Sequence, residues 1–194
     1  MAGVIAVTTN LIEGHFVITV DGLIFEIKGV IHPRNRVIAY LRYVPTSESD
    51  SRYKKVYALD KREEYLQNNH PSYLWFSEPH GRVVQSVPND RIKSTFNPVD
   101  HLASIRDSED TISDLEQASV KLAKRLVETT EIEWSSIGIT GSQLVRVARK
   151  DSDIDLVIYG SDSCRKFYSG LSKNIVSIMG VERYTGTLLD EHVS

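Results

Sequence analysis

Alternating apolar residues predict an antiparallel β-meander near the beginning of the chain. From Gly14 to Ile27, apolar positions recur at every second residue on both sides of the pair Asp21-Gly22. Alternation of this kind indicates strands, and an Asp-Gly pair between two alternating runs is a strong signal for a β-hairpin. Residues 37–44 form another apolar run and predict a further strand. We therefore expect a small antiparallel module in this region.

The next part of the chain mixes strand, helix and turn signals. Polar residues 45–52 predict a loop and residues 53–59 a strand. Asp60 predicts the N-cap of a short helix that ends near His70. The aromatic-rich run 73–76 fits a core position better than a stacking surface. Turn residues recur between Glu78 and Asn97, so we expect a loop-rich connection there.

Helical periodicity dominates the second half of the chain. Asn97-Pro98 predicts the start of a short helix that extends to residue 105. From Ser108, apolar residues at three- and four-residue spacing predict a longer helix to Thr130, with Glu109 and Asp110 in its first turn. Residues 134–140 then predict a strand, and residues 161–179 a helix that Gly180 ends. This pattern divides the chain into a β-rich module of unknown role, 1–107, and a second domain, 108–194.

Two acidic residues follow a Gly-Ser pair at a spacing that suggests a metal and phosphate site. Gly141-Ser142 comes after a predicted strand, and Asp153 and Asp155 open an apolar run that ends at Gly160. Side chains alternate along a strand, so both carboxylates point to the same side. Their repulsion favours a bound cation, and Mg²⁺ binds one or two carboxylates together with substrate phosphates. The glycine lets the backbone approach a ligand closely, and the serine offers a hydroxyl and an N–H to an anion.

The same acids have two other interpretations. Asp151, Asp153 and Asp155 match the start of a calcium loop, but its sixth position is Leu156 instead of Gly and its twelfth is Asp162 instead of Glu. The calcium interpretation therefore fails. The acids at 151 and 153 also fit a solvated turn before a buried strand, although Asp155 lies inside the apolar run, where an unpaired charge is costly.

The Gly-Ser pair and the two acids resemble a known signature. Gly141-Ser142, ten intervening residues and then Asp153-Ile154-Asp155-Leu156 resemble the motif of the polymerase-β-type nucleotidyltransferases, in the form found in small, stand-alone members. The chain is also similar to an uncharacterised archaeal group of predicted nucleotidyltransferases with an N-terminal extension. The resemblance implies an α+β fold: a nucleotidyltransferase-like mixed sheet with helices in the C-terminal half, preceded by a smaller antiparallel β-rich module.

This resemblance also implies an activity. It predicts an enzyme that uses Mg²⁺ or Mn²⁺ to move a nucleoside monophosphate from an NTP to a hydroxyl of a nucleic acid, a protein or a small molecule. In the resembled mechanism Asp153 and Asp155 hold the metal ions, while Gly141 and Ser142 seat the phosphates of the NTP.

The chain departs from the resembled pattern in two places. Many small members carry Arg after the Gly-Ser pair, where this chain has Gln143, and for the usual third carboxylate the nearest candidate is Asp190. A missing third carboxylate leaves an alternative, a catalytically degenerate nucleotide- or RNA-binding module on the same scaffold. A partner-binding subunit that uses the long amphipathic helix is a further alternative.

Composition bears on partners and compartment. A hydrophobic content of 41%, a charged content of 25% and a net charge of −3 are ordinary for a globular domain and announce no polyanion-binding face. Basic residues of the first half are interspersed with acids and predict a solvated mixed surface. The single cysteine, Cys164, excludes an intramolecular disulfide framework. The chain begins without a basic leader or a membrane-length apolar run, so we expect a cytoplasmic protein with no membrane partner.

Overall fold

Antiparallel strands make up most of the first half of the protein. The computed structural model describes residues 11–47, 52–108 and 112–174. Within these residues seven strands form one antiparallel sheet in the order β5-β6-β3-β2-β1-β7, with β4 paired to β3. The strands are β1 (Phe16–Thr19), β2 (Ile24–Ile27), β3 (Arg36–Pro45), β4 (Tyr53–Lys55), β5 (Leu74–Ser77), β6 (Arg82–Pro88) and β7 (Ile92–Phe96).

The predicted β-hairpin is confirmed. Strands β1 and β2 pair antiparallel around Asp21-Gly22, and Gly22 adopts a positive φ of 81° that the turn requires. Both faces of this sheet are covered. On one face Val17, Phe25 and Leu41 pack with buried residues of helix α1 (Leu59–Asn69) and with Tyr73, while Phe16 lies on the other face.

The prediction of a loop-rich connection between Glu78 and Asn97 is wrong. The turn residues do form turns, as short 3₁₀ segments at 78–80 and 89–91, but strands β6 and β7 lie between and after them. The sequence pattern does not predict strand β6, because its buried positions include Gln85 and Ser86, which break the apolar alternation. The Gln85 side chain is accommodated because its Oε1 accepts a hydrogen bond of 2.9 Å from the Leu41 N–H.

Two element boundaries also differ from prediction. The strand expected over residues 53–59 ends at Lys55, and helix α1 begins at Leu59 with Ala58 as its N-cap, so Asp60 lies in the first turn. The long helix, α3 (Asp114–Thr130), begins six residues later than expected, because Ser113 and Glu116 form a reciprocal capping box. Glu109 and Asp110, expected in its first turn, lie outside the described residues.

The remaining elements pack as a second cluster of helices and strands. They are α2 (Pro98–Arg106), α3, β8 (Ile137–Ile139), the short α4 (Gly141–Leu144), β9 (Leu156–Ile158) and α5 (Ser161–Asn174). Strands β8 and β9 pair antiparallel, with Gly138 opposite Val157. The expected continuation of α5 to residue 179, and Gly180 as its end, lie outside the described residues. These helices, together with the sheet, confirm the α+β class.

Helix α2 joins the two parts of the protein. Its residues Leu102 and Ile105 are buried against Ala123 and Leu126 of α3, although they precede the predicted boundary at residue 108. The division into 1–107 and 108–194 stays a prediction. Further contacts cross between the parts: the Thr140 hydroxyl donates to the Gly14 carbonyl at 2.6 Å, and the Tyr159 hydroxyl donates to the Glu13 carbonyl at 3.0 Å. Burial, and to a smaller extent the nearby Glu13, raises the pKa of Tyr159 to about 12. A search of the described ranges for a helix long and apolar enough to cross a membrane finds none.

Candidate functional site

The Gly-Ser pair directly follows strand β8 and lies against Asp155. The Thr140 N–H donates a 2.9 Å hydrogen bond to the Asp155 carbonyl, so the chain beyond β8 is held to the chain before β9. Gly141 then turns with a positive φ of 67°. A Cβ atom at this position would lie 2.0 Å from Asp155 Oδ2. Only glycine therefore leaves room for the carboxylate beside the backbone of residue 141.

The two candidate acids lie in a segment without regular secondary structure that leads into β9. The regular strand begins one residue after Asp155, which differs from the expectation that both acids belong to the strand. Asp153 and Asp155 are nevertheless exposed, with a half-buried Ile154 between them, as alternation along an extended chain predicts. Both acids line one cavity of about 780 Å³, together with Gly141 and Ser142. The structure thus brings the four predicted site residues together, while their roles stay a prediction.

The antiparallel sheet contributes basic side chains to the same cavity. Arg42, Lys54 and Lys55 line it. The Arg42 Nε lies 3.2 Å from a carboxylate oxygen of Glu26, and the Lys55 Nζ lies 4.7 Å from the ring centroid of Tyr57. A cavity that holds both carboxylates and cations suits a ligand with bound metal and several anionic oxygens.

Sequence reasoning missed these cations. The sequence predicts a solvated mixed surface for them because acids are interspersed, and nothing in the local sequence connects Arg42 with Asp153, more than a hundred residues away. The pairing of β3 with β4 places Lys55 opposite Tyr43, on the face of the sheet that packs against the second half of the chain. The hairpin then packs on the second half of the chain through Tyr43, which clusters with buried residues that follow the Gly-Ser pair. Neither step is visible without the tertiary contact.

Tyrosines form a further part of the cavity wall. Tyr43, Tyr53 and Tyr57 all line the cavity, and Tyr57 is 74% exposed, so its ring is available to a ligand. Burial raises the pKa of Tyr43. Smaller effects come from Arg42, which lowers this pKa, and from Asp155, which raises it. Tyr43 therefore remains a neutral phenol at neutral pH and can act as a hydrogen-bond donor.

Gln143, the first departure from the resembled pattern, does not face this cavity. Its side chain is 5% exposed, and its Oε1 accepts a 2.9 Å hydrogen bond from the Ser119 hydroxyl of helix α3. The residue therefore positions the Gly-Ser turn against α3. The basic side chains that line this cavity come instead from the sheet and from Arg149.

The donor set fits a hard divalent cation. Asp153 and Asp155 offer carboxylate oxygens, and among the residues that the structure describes neither is joined to a cationic side chain by a salt bridge. The described ranges contain no cluster of three or more metal-ligating side chains. Mg²⁺ is commonly bound by only one or two carboxylates with water and substrate phosphates, so two acids are sufficient for a metal that arrives with a nucleotide. Asp190, the candidate third carboxylate, lies outside the described residues.

Fold and site together define an α+β protein with a cavity that three carboxylates line, between a seven-stranded sheet and a helical half. The chain is similar to an uncharacterised protein of Methanocaldococcus jannaschii, with 29% identity over 171 residues. The match covers 81% of this chain and 50% of that protein, so the chain spans about half the length of the curated relative it matches. No family model matches the chain. A search of solved structures also finds no match.

Proposed function

We propose that this protein is a nucleotidyltransferase that uses Mg²⁺ or Mn²⁺ to move a nucleoside monophosphate from an NTP to a hydroxyl acceptor. The observation that carries the proposal is the shared cavity. It combines the carboxylates of Asp153 and Asp155, the close backbone approach at Gly141, and cations such as Arg42 and Lys55. Carboxylates for a metal and cations for phosphate oxygens are the two requirements of triphosphate binding.

Each part of the cavity has a role in this proposal. Asp153 and Asp155 hold the divalent ion, which when bound supplies charge neutralisation and polarises the phosphoryl oxygens. Ser142 offers its hydroxyl and backbone N–H to a phosphate oxygen, and the cations of β3 and β4 neutralise the remaining phosphate charge. The exposed ring of Tyr57 provides a stacking surface for the base.

The reaction is an in-line displacement at the α-phosphorus. A bond forms between the acceptor oxygen and the α-phosphorus, and the bond from that phosphorus to the bridging oxygen breaks. Pyrophosphate leaves with the electron pair, and the proton of the acceptor hydroxyl is released to water. The residues described here position the triphosphate, which is the main contribution a protein makes to phosphoryl transfer.

The second candidate is a nucleotide- or RNA-binding module without catalytic activity. The acids of the cavity favour this candidate. Among the described residues they are Asp153, Asp155 and the neighbouring Asp151, and no carboxylate from a further strand joins them. The enzyme and a nucleotide-binding module both predict nucleotide binding with metal. They differ only in turnover.

Melting curves with nucleotide and metal test the binding step. A ligand at a hundredfold excess over its dissociation constant stabilises the fold by about 2.7 kcal/mol, which raises the Tm of a chain of this size by about 5–11 °C. We expect this shift with ATP or another NTP plus Mg²⁺ for the wild type, and most of it lost in Asp153→Asn and Asp155→Asn. Asp107→Asn is the matched control, since this acid is exposed and does not line the cavity.

Transfer of a labelled nucleoside monophosphate separates the two candidates. A metal-dependent shift with transfer to a hydroxyl supports the enzyme, and a shift without transfer to a nucleic acid, a protein or a small-molecule acceptor favours the binding module. Lys55→Met should weaken the nucleotide-dependent shift, whereas Lys61→Met, on the exposed surface of α1, should not. No shift with any NTP and either ion would contradict the enzyme and a nucleotide-binding module.

A further inference from the structure

A second cavity adjoins the first. Its volume is about 830 Å³, within the size range of small-molecule sites. Three residues, Tyr53, Val147 and Arg149, line both cavities. A molecule in the second cavity therefore reaches the wall of the cavity that contains Asp153 and Asp155.

The second cavity is rich in guanidinium groups. Arg52, Arg146 and Arg149 line it, against one carboxylate, that of Asp100. Burial lowers the pKa of His101, which also lines the cavity, so this ring is neutral at pH 7 and adds no charge. The excess of guanidinium groups favours an anionic ligand, and the planar fork of donors suits phosphate in particular.

Arg146 closes helix α4 with a Schellman motif, and this motif accounts for its positive φ. Its φ is 58°, in the left-handed region where glycine is favoured and other residues are destabilising. The turn is fixed on both sides, because the Arg146 N–H donates to the Gln143 carbonyl at 3.1 Å and the Val147 N–H donates to the Ser142 carbonyl at 3.0 Å. The chain thus places an exposed guanidinium at a position where glycine would be more stable.

We propose that the second cavity binds the acceptor, and that this acceptor carries a phosphate group held by Arg146 and Arg149. The assignment rests on the proposed transferase function. The shared wall at Arg149 links a phosphate in the second cavity to an NTP in the first, and the rings of Tyr53 and Phe96 provide apolar surface for a base or sugar. The phosphate-bearing hydroxyl compound is either the end of a single-stranded nucleic acid or a small sugar phosphate.

Binding measured without NTP and without metal tests this proposal. The two probes are a short fluorescein-labelled single-stranded RNA, followed by anisotropy, and ribose 5-phosphate, followed by titration calorimetry. We expect Arg146→Gly and Arg149→Gln each to raise the dissociation constant of the probe by about tenfold, as the loss of a charge-assisted hydrogen bond predicts. Glycine suits the φ of residue 146, so Arg146→Gly removes the guanidinium without disturbing the turn. Arg82→Gln is the matched control, because Arg82 is exposed on β6 and lines neither cavity.

The probes distinguish the two sources of phosphate. Binding of RNA that depends on Arg146 and Arg149, with a weaker dependence on salt in each variant, identifies a nucleic-acid end. Binding of ribose 5-phosphate alone with the same dependence identifies a small acceptor. The proposal is overturned if the wild type binds neither probe, or if both variants bind like the wild type. Because the assay contains no NTP or metal, this failure leaves the nucleotide-dependent melting shift, and with it the proposed function, intact.

Discussion

Replacing Gly141 with alanine tests the geometry on which the site depends. The added Cβ would lie 2.0 Å from Asp155 Oδ2, 2.9 Å from its Cγ and 3.2 Å from its Cβ. Rotation of the carboxylate relieves the first contact but not the contact near the root of the side chain, so the backbone around Asp155 has to move. Crowding of this kind typically costs about 1–3 kcal/mol. The positive φ of residue 141 adds about 1–2 kcal/mol for any residue other than glycine.

Gly81→Ala separates these two contributions. Gly81 has a φ of 61°, close to the 67° of Gly141, but a Cβ there meets no atom within 4 Å. We expect Gly81→Ala to lower the free energy of unfolding by only the backbone amount, about 1–2 kcal/mol, and Gly141→Ala to lower it by about 2–5 kcal/mol. For a chain of this length each kcal/mol corresponds to about 2–4 °C in Tm, so thermal melting by circular dichroism resolves the difference.

The double variant Gly141→Ala/Asp155→Ala identifies the contact. Removal of the Asp155 carboxyl group leaves only the contact at 3.2 Å, so most of the extra loss should disappear and the two changes should not be additive. The reasoning is refuted if Gly141→Ala is no more destabilising than Gly81→Ala, or if the losses in the double variant simply add. All these melts are run without metal, which keeps the stability measurement independent of ligand binding.

Two further predictions concern stability elsewhere. Gly138→Ala should destabilise the protein by at least about 3 kcal/mol, because a Cβ there would lie 2.5 Å from the backbone carbonyl carbon of Pro98. An unchanged midpoint in urea denaturation would contradict this prediction. The hydrogen bond from Tyr73 lowers the pKa of Asp21, and Arg91, 2.7 Å away, lowers it further, despite partial burial. A depressed pKa stabilises the fold above the ordinary carboxyl pKa of about 4 and loses this effect in more acid solution, so Asp21→Asn should be less stable than wild type at pH 7 and nearly equal at about pH 2. A pH-independent difference would contradict it.

Local sequence was sufficient where one short segment determines its own structure. The hairpin at Asp21-Gly22 and the strand β3 follow from alternation and turn chemistry, and the helix α2 follows from Asn97-Pro98, where the Asn97 side chain accepts a hydrogen bond from the Val99 N–H. One stretch of sequence also identified the four candidate site residues. Only ten residues separate the Gly-Ser pair from the first of the two acids.

Pairing and packing between distant segments decided the rest. Strand β6 contains the buried Gln85 and Ser86, whose side chains accept hydrogen bonds from β3, and the three central residues of β7 are exposed and polar, so neither strand has the periodicity that identifies a strand on its own. Lys55 reaches the candidate site only because β4 pairs with β3 and β3 packs against the turn after β8. The role of Gln143 likewise depends on Ser119, in a helix 24 residues earlier. The sequence alone thus located the acids of the candidate site, whereas the tertiary structure brought the cations of the sheet to them, because charges brought together by long-range contacts leave no pattern along the chain.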